Sequence, residues 1–219
     1  MNMTHGFNTI LFDADGVLQR PAVNYAEAFA DLLGTRRPDA ARFIAEIFAA
    51  ERATLSGAGD FRDNLTVLLQ RWNIPHALDR VLSISVQIKP DQAVFAAISA
   101  LRTAGLCCCL ASNQQAYRAG VMSETFGYAR RFDREFYSCH VGCAKPDPAY
   151  YRAILDALGC AAEHTLFIDD HEPNVLAARS VGLHGAVFAA TPETSGETLR
   201  AILAEYGLSL PQLTTPRIA

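Results

Sequence analysis

The sequence predicts an α/β fold, a parallel sheet with helices on both faces, interrupted near its start by a helical segment. Three observations carry this reading. After Lys89-Pro90, short apolar runs alternate with helix-like segments, the order that builds parallel sheets. Several of those runs stop abruptly at polar residues, as buried strands do where they enter loops. Between Val17 and about Ile88 the alternation lapses, and helix-like segments follow one another between breakers. The 219 residues accommodate one domain with a large insertion, or two small ones.

Thr9-Ile10-Leu11-Phe12 reads as the first strand and stops at the acidic turn Asp13-Ala14-Asp15-Gly16. Helices are expected over residues 24–33, 39–55, 60–72 and 77–86, separated by Gly34, Pro38, Gly57, Gly59 and Pro75. Asp91 can cap a helix that ends at Gly105. A strand over 106–111 ends at Ser112-Asn113, followed by a helix over 115–124 and a short run at 135–138. Asp147-Pro148 opens the next helix, with Asp at the cap and Pro in the first turn, where its missing N–H costs least. That helix ends at Gly159. The strand over 165–168 stops at Asp169-Asp170, a helix spans 173–181, and a last strand spans 185–189. A helix over 196–206 and a tail containing Pro and Thr complete the chain.

Half of the residues are apolar and 19% are charged, a globular balance that argues against extensive disorder. The net charge of −4 speaks against a general nucleic-acid binder. Lys89 and Lys145 are the only lysines among 19 basic residues, which draws attention to both. No basic residue precedes an apolar stretch at the N-terminus, so no signal peptide is expected, and no apolar run is long enough to cross a bilayer. Three of the six cysteines are consecutive, Cys107, Cys108 and Cys109. Neighbours on a strand point to opposite faces, so these read as small buried residues rather than a disulfide framework. A cytoplasmic protein with no membrane partner fits this pattern.

Ligands of open parallel sheets bind beyond the carboxyl ends of the strands. The polar residues that end the runs are Asp13 and Asp15, Ser112 and Asn113, and Asp169 and Asp170; Lys145 lies in a loop ahead of a helix. Carboxylates gathered at one edge repel unless cations sit among them. Lys145 and a divalent ion would supply that charge, and all-oxygen ligation favours Mg²⁺ over zinc. Carboxylates, Mg²⁺ and a lysine suit phosphoryl transfer, in which an Asp can act as nucleophile and a second Asp can move protons.

The four segments Asp13-Ala14-Asp15-Gly16-Val17, Ser112-Asn113, Lys145-Pro146 and Asp169-Asp170 together resemble the haloacid dehalogenase-like hydrolase superfamily, over Thr9 to about Leu183. The resemblance implies a Rossmann-like doubly wound sheet, with residues 1–16 and 89–219 as the core and 17–88 as a small helical cap. It implies Asp13 as nucleophile, Asp15 as general acid/base, and Ser112 and Lys145 on the phosphoryl oxygens. Mg²⁺ would be held by the Asp13 side chain, the Asp15 carbonyl and Asp170, with Asp169 ligating directly or through water. Asn113 would touch phosphate or substrate, and Asn174 would order the residues behind the metal.

The family's dehalogenases generally lack the second acid, which is present here as Asp15. Its phosphonate-cleaving members use a cap lysine, and residues 17–88 contain none. The expected activity is hydrolysis of a small phosphorylated metabolite, with a sugar phosphate as the expected ester. A sugar-phosphate mutase and a non-catalytic ligand-binding protein are the alternatives. Arg20, Arg36, Arg37, Arg42 and Arg62 are candidates for a second substrate charge, without a choice among them.

Overall fold

A computed structural model describes residues 6–209. The first five residues, and with them most of the segment read for a signal peptide, lie outside the described residues, as does most of the tail. Among the described residues seven strands are formed: β1 (Thr9–Phe12), β2 (Gln19–Pro21), β3 (Ile88–Pro90), β4 (Cys107–Ser112), β5 (Arg134–Tyr137), β6 (Thr165–Asp169) and β7 (His184–Val187). Five of them make a parallel sheet in the order β5-β4-β1-β6-β7. The chain runs outward from β1 to β4 and β5, then returns to lay β6 and β7 on the other side. Strand β1 is therefore central, and the reversal of direction opens a crevice beyond its carboxyl end.

The apolar runs lack alternation because both faces of the sheet are covered. Ile10, Phe12, Cys108, Leu110, Leu166 and Ile168 face helices Gln92–Thr103 and Ser195–Glu205. Leu11, Cys109, Ala111 and Phe167 face helices Pro148–Leu158 and Glu172–Ser180. All six cysteines are free thiols, and burial pushes that of Cys108 up to about 12.

Between β2 and β3, helices Tyr25–Ala30, Ala40–Arg52, Phe61–Arg71 and Leu78–Ser85 close over a cluster of their own that includes Phe29, Phe43, Ile47, Leu65, Trp72 and Val81. The helix expected over 24–33 stops at Ala30 and tightens into 3-10 turns over Asp31–Asp39, broken at Gly34, whose φ is +55°. Strands β2 and β3 pair antiparallel at the base of this insertion, where the sequence reading expected no strand. Each has three residues, too few to show alternation. The helix expected over 115–124 is a short α-helix, Ala116–Gly120, continued by a π turn, Val121–Thr125. Helices Tyr128–Arg131 and Ser138–Val141 were not expected, being single turns without periodicity. Among the described residues no helix is long and apolar enough to cross a membrane.

Asp91 ties the insertion to the sheet. One of its oxygens accepts from Ala93 and Val94 N–H, capping helix Gln92–Thr103, and the other lies 3.3 Å from Arg20 in β2. Asp91→Ala should lower unfolding free energy by about 1–2 kcal/mol in denaturant titration, and Asp91→Asn, which keeps the cap, by less.

Candidate active site

Strand register assembles the site. Phe12 pairs with Leu110 on one side and Ile168 on the other, so the residues following these three strands emerge together. Asp13 N–H donates to the Ile168 carbonyl, which holds Asp13 level with Asp169. A cavity of about 330 Å³ opens there, lined by Asp13, Asp15, Ser112, Asn113, Lys145 and Asp170, with Gly16, His171 and Asn174 at its edge.

Lys145 lies at the floor of this cavity with 1% of its side chain exposed. Its ammonium is 2.8 Å from Asp13 Oδ1 and 2.6 Å from Asp169 Oδ2, and it sits over the Phe167 ring. The Asn113 side chain holds the loop, accepting from Lys145 N–H at 2.9 Å and donating to the Lys145 carbonyl at 2.8 Å. Asn113 thus positions Lys145 and also lines the cavity, where the sequence predicts contact with phosphate or substrate. Asp169 is wholly buried and accepts from Lys145, Asn174 Nδ2 and His171 N–H. Asp169 lies behind the cavity lining, and Asn174, which lines the cavity, donates to both of its oxygens.

Burial raises the Asp13 carboxyl to about 7; the Lys145 charge opposes this and Asp169 adds to it. Burial also raises Asp170, with Asp169 contributing. Ligand oxygens of Asp13, Asp169 and Asp170 lie within 4.8 Å of one another. Three carboxylates against one ammonium leave two negative charges, the charge a divalent cation brings. None of the turn's backbone hydrogen bonds uses the Asp15 carbonyl, which leaves that oxygen available as a further ligand. The donor set thus fits Mg²⁺. Gly16 makes this approach possible: its φ is +84°, and a Cβ there would overlap the Asp170 carboxylate.

The Asp15 side chain belongs to a different network. Arg118 grips it with two hydrogen bonds, of 2.6 and 2.8 Å, and Gln114 and Gln19 donate to it at 2.8 and 2.9 Å. Burial alone would raise this carboxyl, but the Arg118 charge and the three donors hold it below the usual range. Gln114 also donates to Ser112 Oγ at 3.2 Å and accepts from Arg118, linking the two halves of the site.

A family model described as haloacid dehalogenase-like hydrolase matches residues 7–182. The chain belongs to the haloacid dehalogenase-like hydrolases. A member of this group from Bacteroides thetaiotaomicron, solved with magnesium and inorganic phosphate, superposes with a TM-score of 0.68 at 21% identity, covering 84% of this chain and 96% of that one. Dehalogenases are also among the solved structures with this fold. The curated relatives match in part. The chain is 27% identical to bifunctional epoxide hydrolase 2 of Sus scrofa over 67% of its own length and 26% of that protein's. It is 30% identical to the sesquiterpene phosphatase astK of Aspergillus oryzae over 45% of its own length and 50% of that protein's.

In this haloacid dehalogenase-like hydrolase, the sequence reading missed Arg118, Gln114 and Gln19. They fall outside the motifs, Arg118 on a short helix, Gln114 in the loop after β4 and Gln19 at the start of β2, and glutamines and one arginine among many give no signal. The five arginines considered are engaged elsewhere: Arg20 with Asp91, Arg36 with the Trp72 carbonyl, Arg37 with Asp31, Arg42 over the Trp72 ring and Arg62 with Asp79.

With Asp13 raised to about 7, Mg²⁺ must displace a proton below that pH. Calorimetric titration should show affinity falling by up to about tenfold per pH unit below neutrality and levelling off above about pH 8. Asp13→Asn should remove most of that dependence. Affinity that stays flat from about pH 5 to 8 contradicts it.

Proposed function

We propose that this hydrolase cleaves phosphomonoesters with Mg²⁺, through an aspartyl-phosphate on Asp13. The observation that carries the reading is the pairing of Asp13 with a buried lysine while a second acid, Asp15, stands beside the same cavity. Bound Mg²⁺ would neutralise phosphoryl charge and help align the ester. Lys145 and the Ser112 hydroxyl would hold phosphoryl oxygens, and Lys145 keeps the Asp13 carboxylate oriented toward phosphorus.

In the first step an Asp13 oxygen attacks phosphorus, and the departing alcohol oxygen takes a proton from Asp15. In the second, Asp15 removes a proton from water, which attacks the same phosphorus and frees Asp13 as phosphate leaves. The Arg118 pair favours ionised Asp15, the form the second step needs. Donating a proton in the first step requires that pair to loosen. The sesquiterpene phosphatase relative and the magnesium–phosphate complex of the structural neighbour support a phosphate ester as substrate. Asp15 supports it over dehalogenation, which has no leaving oxygen to protonate.

Phosphate release should need Mg²⁺, stop with EDTA, and fall at least about a thousandfold in Asp13→Asn. Release that persists in Asp13→Asn contradicts the reading. Arg118→Met removes the charge that depresses Asp15. At saturating Mg²⁺, which keeps Asp13 ionised, and with p-nitrophenyl phosphate, whose leaving phenolate needs no proton, the acid limb of kcat against pH should move up by about 1–3 units. An unmoved limb separates Arg118 from the Asp15 titration.

A further inference from the structure

A second cavity, of about 240 Å³, begins at Asp15 and runs under the helical insertion. Asp15 and Arg118 form its inner end, and Tyr25, Phe29, Phe48 and Phe61 line its walls, with Glu51 among them. We infer that this cavity takes the alcohol portion of the substrate, and that this portion is mainly apolar, with any hydrogen-bond donor set against Glu51. The inference rests on the phosphomonoester reading above and names the ester's class.

Position is the first argument. The two cavities share Asp15, the residue placed beside the leaving oxygen. With the phosphoryl group among Asp13, Ser112 and Lys145, whatever that oxygen carries extends past Asp15 into the second cavity.

The supply of polar partners is the second. Tyr25 Oη already donates toward the Ser85 and Gln87 carbonyls, and Ser85 Oγ to the Leu82 carbonyl. Both terminal nitrogens of Arg118 are held by Asp15 and Gln114. Beside the acceptor lone pairs of the Tyr25 and Ser85 hydroxyls, what is left is the Glu51 carboxylate, which accepts no hydrogen bond among the described residues, and Arg118 Nε, which is buried without a partner. A sugar ester would bring several hydroxyls against walls that are mainly aromatic, and those facing the rings would be stripped of water without a partner. An alkyl or aryl group instead removes aromatic surface from water. The geometry thus points away from the sugar ester expected from the sequence. Burial raises the Glu51 carboxyl, and the Arg118 charge opposes that shift.

The test compares kcat/KM for phenyl, hexyl and geranyl phosphates with that for glucose 6-phosphate and glycerol 3-phosphate, with acetyl phosphate as a donor that hardly enters the second cavity. The apolar esters should exceed the sugar and glycerol esters by about tenfold or more. Phe48 is 36% exposed, so Phe48→Ser can be made without emptying the core. It should lower kcat/KM for the apolar esters about tenfold more than for acetyl phosphate. Val67→Ser, on the outer surface of the insertion and 58% exposed, should change neither. If Phe48→Ser fails to fold by circular dichroism, Phe48→Asn takes its place, and the wild-type substrate order still decides. Sugar or glycerol esters turned over as well as apolar ones, with acetyl phosphate hydrolysed, overturns this inference and leaves the hydrolase intact. No release from any compound, acetyl phosphate included, overturns the hydrolase reading and this inference with it.

Discussion

Everything at this site depends on one buried ammonium. Lys145 is enclosed between two carboxylates and an aromatic ring, and a charge so placed persists only because both partners are within hydrogen-bond reach. The sheet delivers those partners from adjacent strands, so Asp13 and Asp169 meet the lysine without any loop having to find them. The Asn113 amide and the helix starting at Pro148 then fix the lysine's own backbone. Removing the ammonium would leave two buried carboxylates facing each other, a cost of about 3–5 kcal/mol for a broken buried pair. The lysine is therefore a condition of this edge of the fold as well as part of the cavity lining.

Around that ammonium the charges divide into two groups with different behaviour. Asp13, Asp169, Asp170 and Lys145 retain an excess of negative charge, which invites a divalent cation, and burial raises Asp13 against the pull of the Lys145 charge. Asp15 and Arg118 neutralise each other, so Asp15 is held low although it is two residues from Asp13. Two carboxylates in one turn are thereby shifted in opposite directions by their surroundings rather than by their identity. Gln114 touches both groups and is the physical link between them.

Much of this was legible in the sequence. The five strands of the sheet, the helical insertion and the residues ending β1, β4 and β6 follow from apolar runs that stop at polar pairs. A run such as Thr9–Phe12 reports its own burial, and Asp147-Pro148 reports its own helix start. What stayed hidden depends on contacts between distant segments. Arg118 reaches Asp15 from 103 positions away, and nothing at either end marks the pair. Asn113 shows the reverse: its motif drew attention to it, but its partner is the Lys145 backbone. Strands β2 and β3 escaped because three residues each carry no pattern, and only their pairing across the insertion makes them strands.

The claim on which the account rests is that Asp13, held by Lys145, is the atom donor to phosphorus. The most direct measurement is borohydride reduction of the protein quenched during turnover of acetyl phosphate with Mg²⁺, followed by peptide mass spectrometry. An aspartyl-phosphate is reduced to homoserine, and the account predicts homoserine at position 13, absent without Mg²⁺. Homoserine at Asp15, Asp169 or Asp170 instead, or an unmodified Asp13 under conditions of measured turnover, would contradict it.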